Sequence, residues 1–354
     1  EPEILEEHYL YTDEDFVKHG GNLVTESSPA RLGDHLYITS GSGHVYGYNL
    51  KTRSIDWDLY LGADMDGSPV VTYDSCLIVT VEQQFIKGKG GAMKIDPSRA
   101  PEESVVWYFP TLPRNFADWK GGIIGSAAVN DRYRYSEDPM LAAFMGIDGI
   151  LYVVEHDSIT DNLTQGPDGK TVYPMPRLVD QKEVGPSIST PVFSGDRLLA
   201  ASYLGIELFR VSQNGVESLQ RRQGGFEATP FFHRGQVFVA SRDGYLYCLG
   251  DTTKRVDRTV SEYPEADLLT QEINEPGNEL EDAAGITQSS PEIKPESEPS
   301  ITETAEPEPS ALQEGRYQLI VCAFSVSENA ERMKTGCIDK GIETRIEVFN
   351  GMHY

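Results

Sequence analysis

Apolar residues in this chain fall in short runs rich in Tyr, Val and Leu, broken by polar turns that contain Gly. The pattern is clearest in 36–50 (LYITSGSGHVYGYNL), 142–156 (AAFMGIDGILYVVEH) and 237–251 (VFVASRDGYLYCLGD). Short alternating runs bounded by tight turns predict strands and hairpins rather than helices. Each unit opens on a small polar residue followed by Pro or Ala. The openings are Ser28-Pro29, Ser68-Pro69, Ser126-Ala127, Thr190-Pro191 and Thr229-Pro230, spaced 40, 58, 64 and 39 residues apart. Four strands are predicted within the first unit: a short one before Gly33-Asp34, then 35–40, 44–50 and 54–61. Gly41-Ser42-Gly43 and Lys51-Thr52-Arg53 supply the turns between the last three.

Self-similarity at about 40 residues with short strands is the mark of small sheets arrayed around an axis. The fold expected is all-β, a β-propeller of four-stranded blades forming a partial ring. The 58- and 64-residue spacings are blades with insertions, one at 133–139 and one in the hairpin-like 165–170. Residues 1–25 are acidic and weakly patterned, and are expected to be a lead-in strand or the remnant of an earlier blade; residues 26–251 carry the blades. Residues 252–314 change texture, with seven prolines, many Ser and Thr, and an excess of acids. Such a stretch cannot bury enough apolar surface to offset the entropy of ordering, so it is expected to be an extended, disordered linker. Order is expected to return at 315–354, with a strand at 316–324, a short helix at 327–335 capped by Ser327, and a strand at 344–349.

Two segments resemble known families. Residues 43–49 (GHVYGYN) run on through Lys51-Thr52 to Trp57 and resemble the repeat of quinoprotein-like (PQQ-like) β-propellers. Asn49 stands where that repeat has Asp, Arg53 replaces its turn Gly, and Trp57 falls at its blade-docking Trp. Asp96 and Trp107 look like the same pair with a longer turn; 148–152 (DGILY) and 243–247 (DGYLY) match the front half alone. The resemblance implies that Trp57 and Trp107 wedge between neighbouring blades, each burying on the order of 200 Å². Rings of this type usually have more blades than five openings provide, so the chain is expected to be a fragment at both ends, with raw strand edges exposed. Residues 316–333 (RYQLIVCAFSVSENAERM) look like the start of a SPOR domain, a bacterial module that binds peptidoglycan strands stripped of their stem peptides. Tyr317, Val321, Ala323, Phe324, Asn329, Ala330 and Gly341 fit its pattern, whereas Ile320 and Cys322 stand where Gln and Gly are common. The glycan-binding candidates that follow are Ile320, Ala323, Phe324, Asn329 and Tyr354, in what is only the first half of such a domain.

Composition narrows the partners. A net charge of −26 argues against nucleic acid and anionic membrane surfaces, which need a basic footprint. No apolar stretch reaches the length of a membrane span. The four cysteines, Cys76, Cys248, Cys322 and Cys337, have no CxxC spacing; Cys76 and Cys248 sit in apolar runs and are expected to be small buried hydrophobes.

No catalytic constellation stands out. Asp64 and Asp66 could offer carboxylates to a hard cation, but acids before Gly67 read better as turn formers. In Glu155-His156-Asp157, strand alternation puts His156 on the face opposite its neighbours, and a polar strand end is the favoured reading. Residues 88–91 (GKGG) lack the strand and helix flanks of a phosphate loop and read as a hairpin turn. No adjacent Cys pair or other quinone partner is present. The expectation is therefore a non-enzymatic protein with no cofactor or metal.

On the two resemblances, it is expected in the bacterial cell envelope, in the periplasm or associated with the outer membrane. The propeller would be a platform for an envelope protein, tethered to peptidoglycan. The alternatives are a PQQ-dependent dehydrogenase and an assembly factor for outer-membrane proteins. Insertions 83–91, 110–122, 131–140 and 158–176 are the expected recognition loops, with Arg114, Phe116 and Trp119 as interaction anchors.

Overall fold

The computed structural model describes residues 4–21, 23–132, 134, 138–233, 235–250, 348–349 and 352–353. Contacts divide the chain into two units, Glu1–Lys254 and Arg255–Tyr354. The first is built from antiparallel sheets that follow one another along the chain. Blade 1 is β1 (Ala30–Leu32), β2 (His35–Thr39), β3 (His44–Asn49) and β4 (Ser54–Tyr60). Blade 2 is β5 (Val70–Val71), β6 (Leu77–Val81), β7 (Gly91–Ile95) and β8 (Val105–Pro110). Blade 3 is β9 (Ala128–Val129), β10 (Leu141–Met145), β11 (Ile150–Gln165) and β12 (Val172–Glu183). Blade 4 is β13 (Val192–Ser194), β14 (Arg197–Ser202), β15 (Gly205–Ser212) and β16 (Gly215–Gln223). Blade 5 has three strands among the described residues, β17 (Phe231–His233), β18 (Gln236–Ala240) and β19 (Leu246–Leu249).

Every strand pair is antiparallel and in sequence order, so each blade is a meander. Middle strands such as β6 (LIVTV) and β10 (LAAFM) are buried throughout, because both sheet faces meet a neighbour. Alternation divides the two faces between two cores. Leu77 and Val79 pack with Tyr37, Val45 and Trp57 of blade 1, whereas Ile78 and Trp107 pack with Phe144 and Tyr152 of blade 3. Equivalent cores join blades 3 and 4 through Val153 and Phe209, and blades 4 and 5 through Ile206 and Val239.

The five opening residues form one chain of hydrogen bonds around the array. The backbone N–H of Ser28 donates to Ser68 Oγ (2.8 Å), and that of Ser68 donates to Ser126 Oγ (2.9 Å). The N–H of Ser126 donates to Thr190 Oγ1 (2.9 Å), and that of Thr190 to Thr229 Oγ1 (3.3 Å). The recurrent Ser or Thr is thus an acceptor for the preceding blade, placed where the first strands converge and no sheet partner is left for that amide. This belt, with the shared cores, makes the array a β-propeller of four-stranded blades in a partial ring.

A second repeated contact lies on the outer side. Each complete blade carries a bulge between its third and fourth strands, and the fourth-strand residue at that bulge is Trp57, Trp107, Asp180 and Gln220 in turn. Trp57 Nε1 donates to the Arg99 carbonyl of blade 2 (3.0 Å), and Trp107 Nε1 to the His156 carbonyl of blade 3 (2.9 Å). Asp180 Oδ2 accepts from the Val216 N–H of blade 4 (2.8 Å). Bulges aim side chains off the regular pleat, here toward the next sheet.

Several expectations are corrected. Residues 4–29 contain no strand among those described; they hold α1 (Asp13–Lys18) instead. Thr12 and Asp15 form a capping box that starts this helix, a signal the acidic composition masks. The segment lies against blade 1: Asp15 Oδ2 is 3.3 Å from His44 Nε2, Ser42 Oγ donates to the Leu10 carbonyl (2.6 Å), and Lys18 sits over the Tyr60 ring. Cys248 is exposed rather than buried, because β19 is covered on one side only; Cys76 is buried.

His156 is a fully buried interblade residue, not a polar strand end. Its Nε2 pairs with Asp131 Oδ1 (2.7 Å), while Lys94 Nζ donates to its carbonyl (3.0 Å) and to Asp74 Oδ2 (2.6 Å). Alternation does hold there, since Glu155 on the other face pairs with Arg177.

The linker expected at 252–314 and the strand and helix expected at 316–324 and 327–335 lie outside the described residues, as do Cys322 and Cys337. In the second unit, β20 (Val348–Phe349) pairs antiparallel with β21 (Met352–His353).

Candidate interaction surface

Turns between the second and third strands of each blade, and the connections from one blade to the next, share one face of the array. Two of the four insertions, 83–91 and 110–122, are on it. The 110–122 loop is shaped by its own backbone. Phe116 and Trp119 exchange N–H···O bonds (3.0 and 3.1 Å), with Ala117 between them at φ +50°, and their rings stack with centroids 6.3 Å apart.

Both ends of the loop bond to blade 2, the Thr111 N–H donating to the Gly90 carbonyl (3.0 Å) and the Gln83 N–H to the Gly121 carbonyl (3.0 Å), while its side chains reach the next blades. Arg114 Nη1 donates to the Asp148 carbonyl in the β10–β11 turn of blade 3 (2.7 Å). Asp148 is fully buried and holds the loop from below, its Oδ2 accepting from the Leu112 N–H (2.9 Å) and the Tyr152 hydroxyl (2.5 Å). Phe116 reaches Tyr203, in the β14–β15 turn of blade 4, at 4.7 Å between centroids, and Trp119 reaches it at 6.3 Å. Arg242 of blade 5 lies over the Tyr203 ring at 5.0 Å and pairs with Glu227. Burial, with the Glu227 carboxylate adding to it, pushes the Tyr203 hydroxyl up to about 12, so it stays a neutral donor.

The result is a half-buried aromatic cluster, Phe116, Trp119 and Tyr203, flanked by two guanidinium groups and by exposed Leu112 and Leu204. It combines residue types that anchor protein interfaces. The structure brings Arg114, Phe116 and Trp119 together; Tyr203 and Arg242 escaped the sequence reading because they are single residues in short turns more than 80 positions away. Trp57 and Trp107 lie in the interblade cores. Ile320, Ala323, Phe324, Asn329 and Tyr354 lie outside the described residues.

The other insertions have different fates. Beyond the blade bulge, the extension of β11 and β12 bears two further register shifts and curls along β8, setting Tyr173 against the blade 1–2 core. At its tip the Gly88 N–H donates to the Pro167 carbonyl (2.8 Å), so insertions 83–91 and 158–176 join. Residues 131–140 connect β9 to β10 at the opposite end of the strands.

Asp64 and Asp66 are more than turn formers. They converge with Glu82, which burial and the Asp64 charge push up to about 8, while burial and then Asp64 raise Asp66 as well. Glu82 is buried with Oε1 unbonded.

Fold and surface together define a propeller-type repeat protein. No family model matches the chain, and no curated protein matches it. Among solved structures it is similar to "The crystal structure of BamB from Moraxella catarrhalis", at 15% identity over 66% of this chain and with a TM-score of 0.44. The match spans 60% of that protein's length. Among the described residues no helix is long and apolar enough to cross a membrane.

Proposed function

We propose that the chain is a non-enzymatic scaffold of the bacterial cell envelope that docks a protein partner on the Phe116–Trp119–Tyr203 face and is tethered to peptidoglycan by its C-terminal part. The observation that carries the first half is the convergence of one long loop and three turns from three other blades on a single aromatic and guanidinium cluster. Exposed aromatic area held rigidly by backbone bonds and a buried Asp loses little entropy on binding. The envelope setting and the glycan tether rest on the resemblance of 316–333 to the SPOR module. A strongly acidic chain also suits a partner with a basic rim around an apolar centre.

Two measurements on the full chain test the two halves separately. Photocrosslinking from position 119 in envelope extracts should give a discrete adduct that Tyr203→Ala weakens; a smear unaffected by that change rejects the docking face. Retention on purified denuded glycan strands should be lost in Phe324→Ala; no retention of the wild-type chain rejects the tether.

A further inference from the structure

The fourth-strand bulge shows what the outer gap between two blades of this protein accommodates. Between blades 1 and 2 it takes the indole of Trp57, and between blades 2 and 3 that of Trp107, each with the ring in the core and the N–H on a carbonyl of the next blade. Between blades 4 and 5 the same register position is Gln220, whose side chain is exposed. A cleft of about 670 Å³ opens there, within the size range of ligand sites. Its apolar wall comes from Leu208 of blade 4 and from Phe232 and Val237 of blade 5. Arg221 and Arg222 line it as well; Arg222 lies 4.7 Å over the Tyr247 ring, and Arg221 is 3.6 Å from Glu207.

We propose that this cleft binds an indole-sized aromatic carboxylic acid. The ring would occupy the place that Trp57 and Trp107 occupy in their own gaps, and the carboxylate would meet Arg222, with Arg221 beside it. Two features select this chemistry. The gap has the register and apolar walls of a socket that holds indole twice elsewhere in the chain, and a planar ring between two sheets gains contact on both faces. A guanidinium pair at the edge of a chain of net charge −26 is a local reversal of sign, suited to a planar carboxylate. The cleft is separate from the Phe116–Trp119–Tyr203 face, so this inference stands without the proposed function.

Calorimetric titration of the full chain with indole-3-acetate, with indole and acetate as separate arms, tests it. Indole-3-acetate should saturate with a Kd of about 10–500 μM, indole should bind at least tenfold more weakly, and acetate should not register. Gln220→Trp should abolish binding and raise the melting temperature, by filling the cleft from within. Arg222→Gln, a surface change that leaves the walls intact, should weaken indole-3-acetate at least fivefold without altering indole. Absence of saturable binding to the wild-type chain overturns the proposal. So does a folded Gln220→Trp variant that still binds, or an Arg222→Gln variant of unchanged affinity.

Discussion

Trp107 offers the sharpest test of how the blades are joined. It is fully buried, its ring lies in the blade 2–3 core, and its N–H donates to the His156 carbonyl. Trp107→Ala removes the ring and leaves a cavity between two sheets that cannot close without moving apart, a loss of about 3–5 kcal/mol. Trp107→Phe keeps most of the volume and forfeits the donor. The His156 carbonyl is still bonded by Lys94 Nζ, so the cost should be held to about 1–2 kcal/mol. For a unit of this size each kcal/mol lowers the melting temperature by about 2–4 °C. The Ala variant should therefore melt about 6–20 °C below wild type and the Phe variant about 2–8 °C below. Gln220→Ala, at the same register position but exposed, should cost less than about 0.5 kcal/mol. Urea unfolding followed by far-ultraviolet circular dichroism gives all three values. If Trp107→Ala and Gln220→Ala fall within about 1 kcal/mol of each other, the bulge residue is not what docks one blade on the next.

Other outcomes follow from the same geometry. Glu82, pushed up to about 8 by burial and then by Asp64, keeps its proton at pH values where the unfolded chain has lost it. Stability present below about pH 4.3 should therefore decline as pH rises toward 8. Glu82→Gln should flatten that slope in melting curves from pH 5 to 9; an unchanged slope refutes the assignment. Burial alone would lower the pKa of His44, but Asp58 and then Asp15 more than reverse this and hold it raised. Its contribution is full below the ordinary histidine value and is lost as pH climbs through the raised one. Protease cleavage between residues 4 and 21 should accelerate over that window in wild type, and be fast at all pH values in His44→Ala. At Gly88, a Cβ would lie 2.2 Å from the Gly166 carbonyl oxygen. Gly88→Ala should detach the hairpin tip, seen as faster amide exchange at 166–171, while melting shifts by no more than a few degrees.

Much of the architecture is written in the order of residues because a blade is a local object. The four strands of blade 1 are consecutive, joined by tight turns, and signalled by alternation and by Gly43 and Arg53 at positive φ. The opening Ser and Thr were visible as a refrain at 40-, 58-, 64- and 39-residue spacing, and these are the spacings across which their hydrogen bonds run. Helix α1 was hidden because its capping box is two residues in an acidic stretch with no apolar period, and its burial depends on His44, which lies outside it.

What only the tertiary structure decided is everything that passes between blades. Tyr203 and Arg242 join Phe116 and Trp119, His156 becomes a buried partner of Lys94 and Asp131, and Asp64 meets Glu82. Periodicity reports which face of a strand is apolar, but not which loop of another sheet lies over it. That choice is set by the twist and spacing of packed blades, where single side chains far apart in sequence come within contact distance.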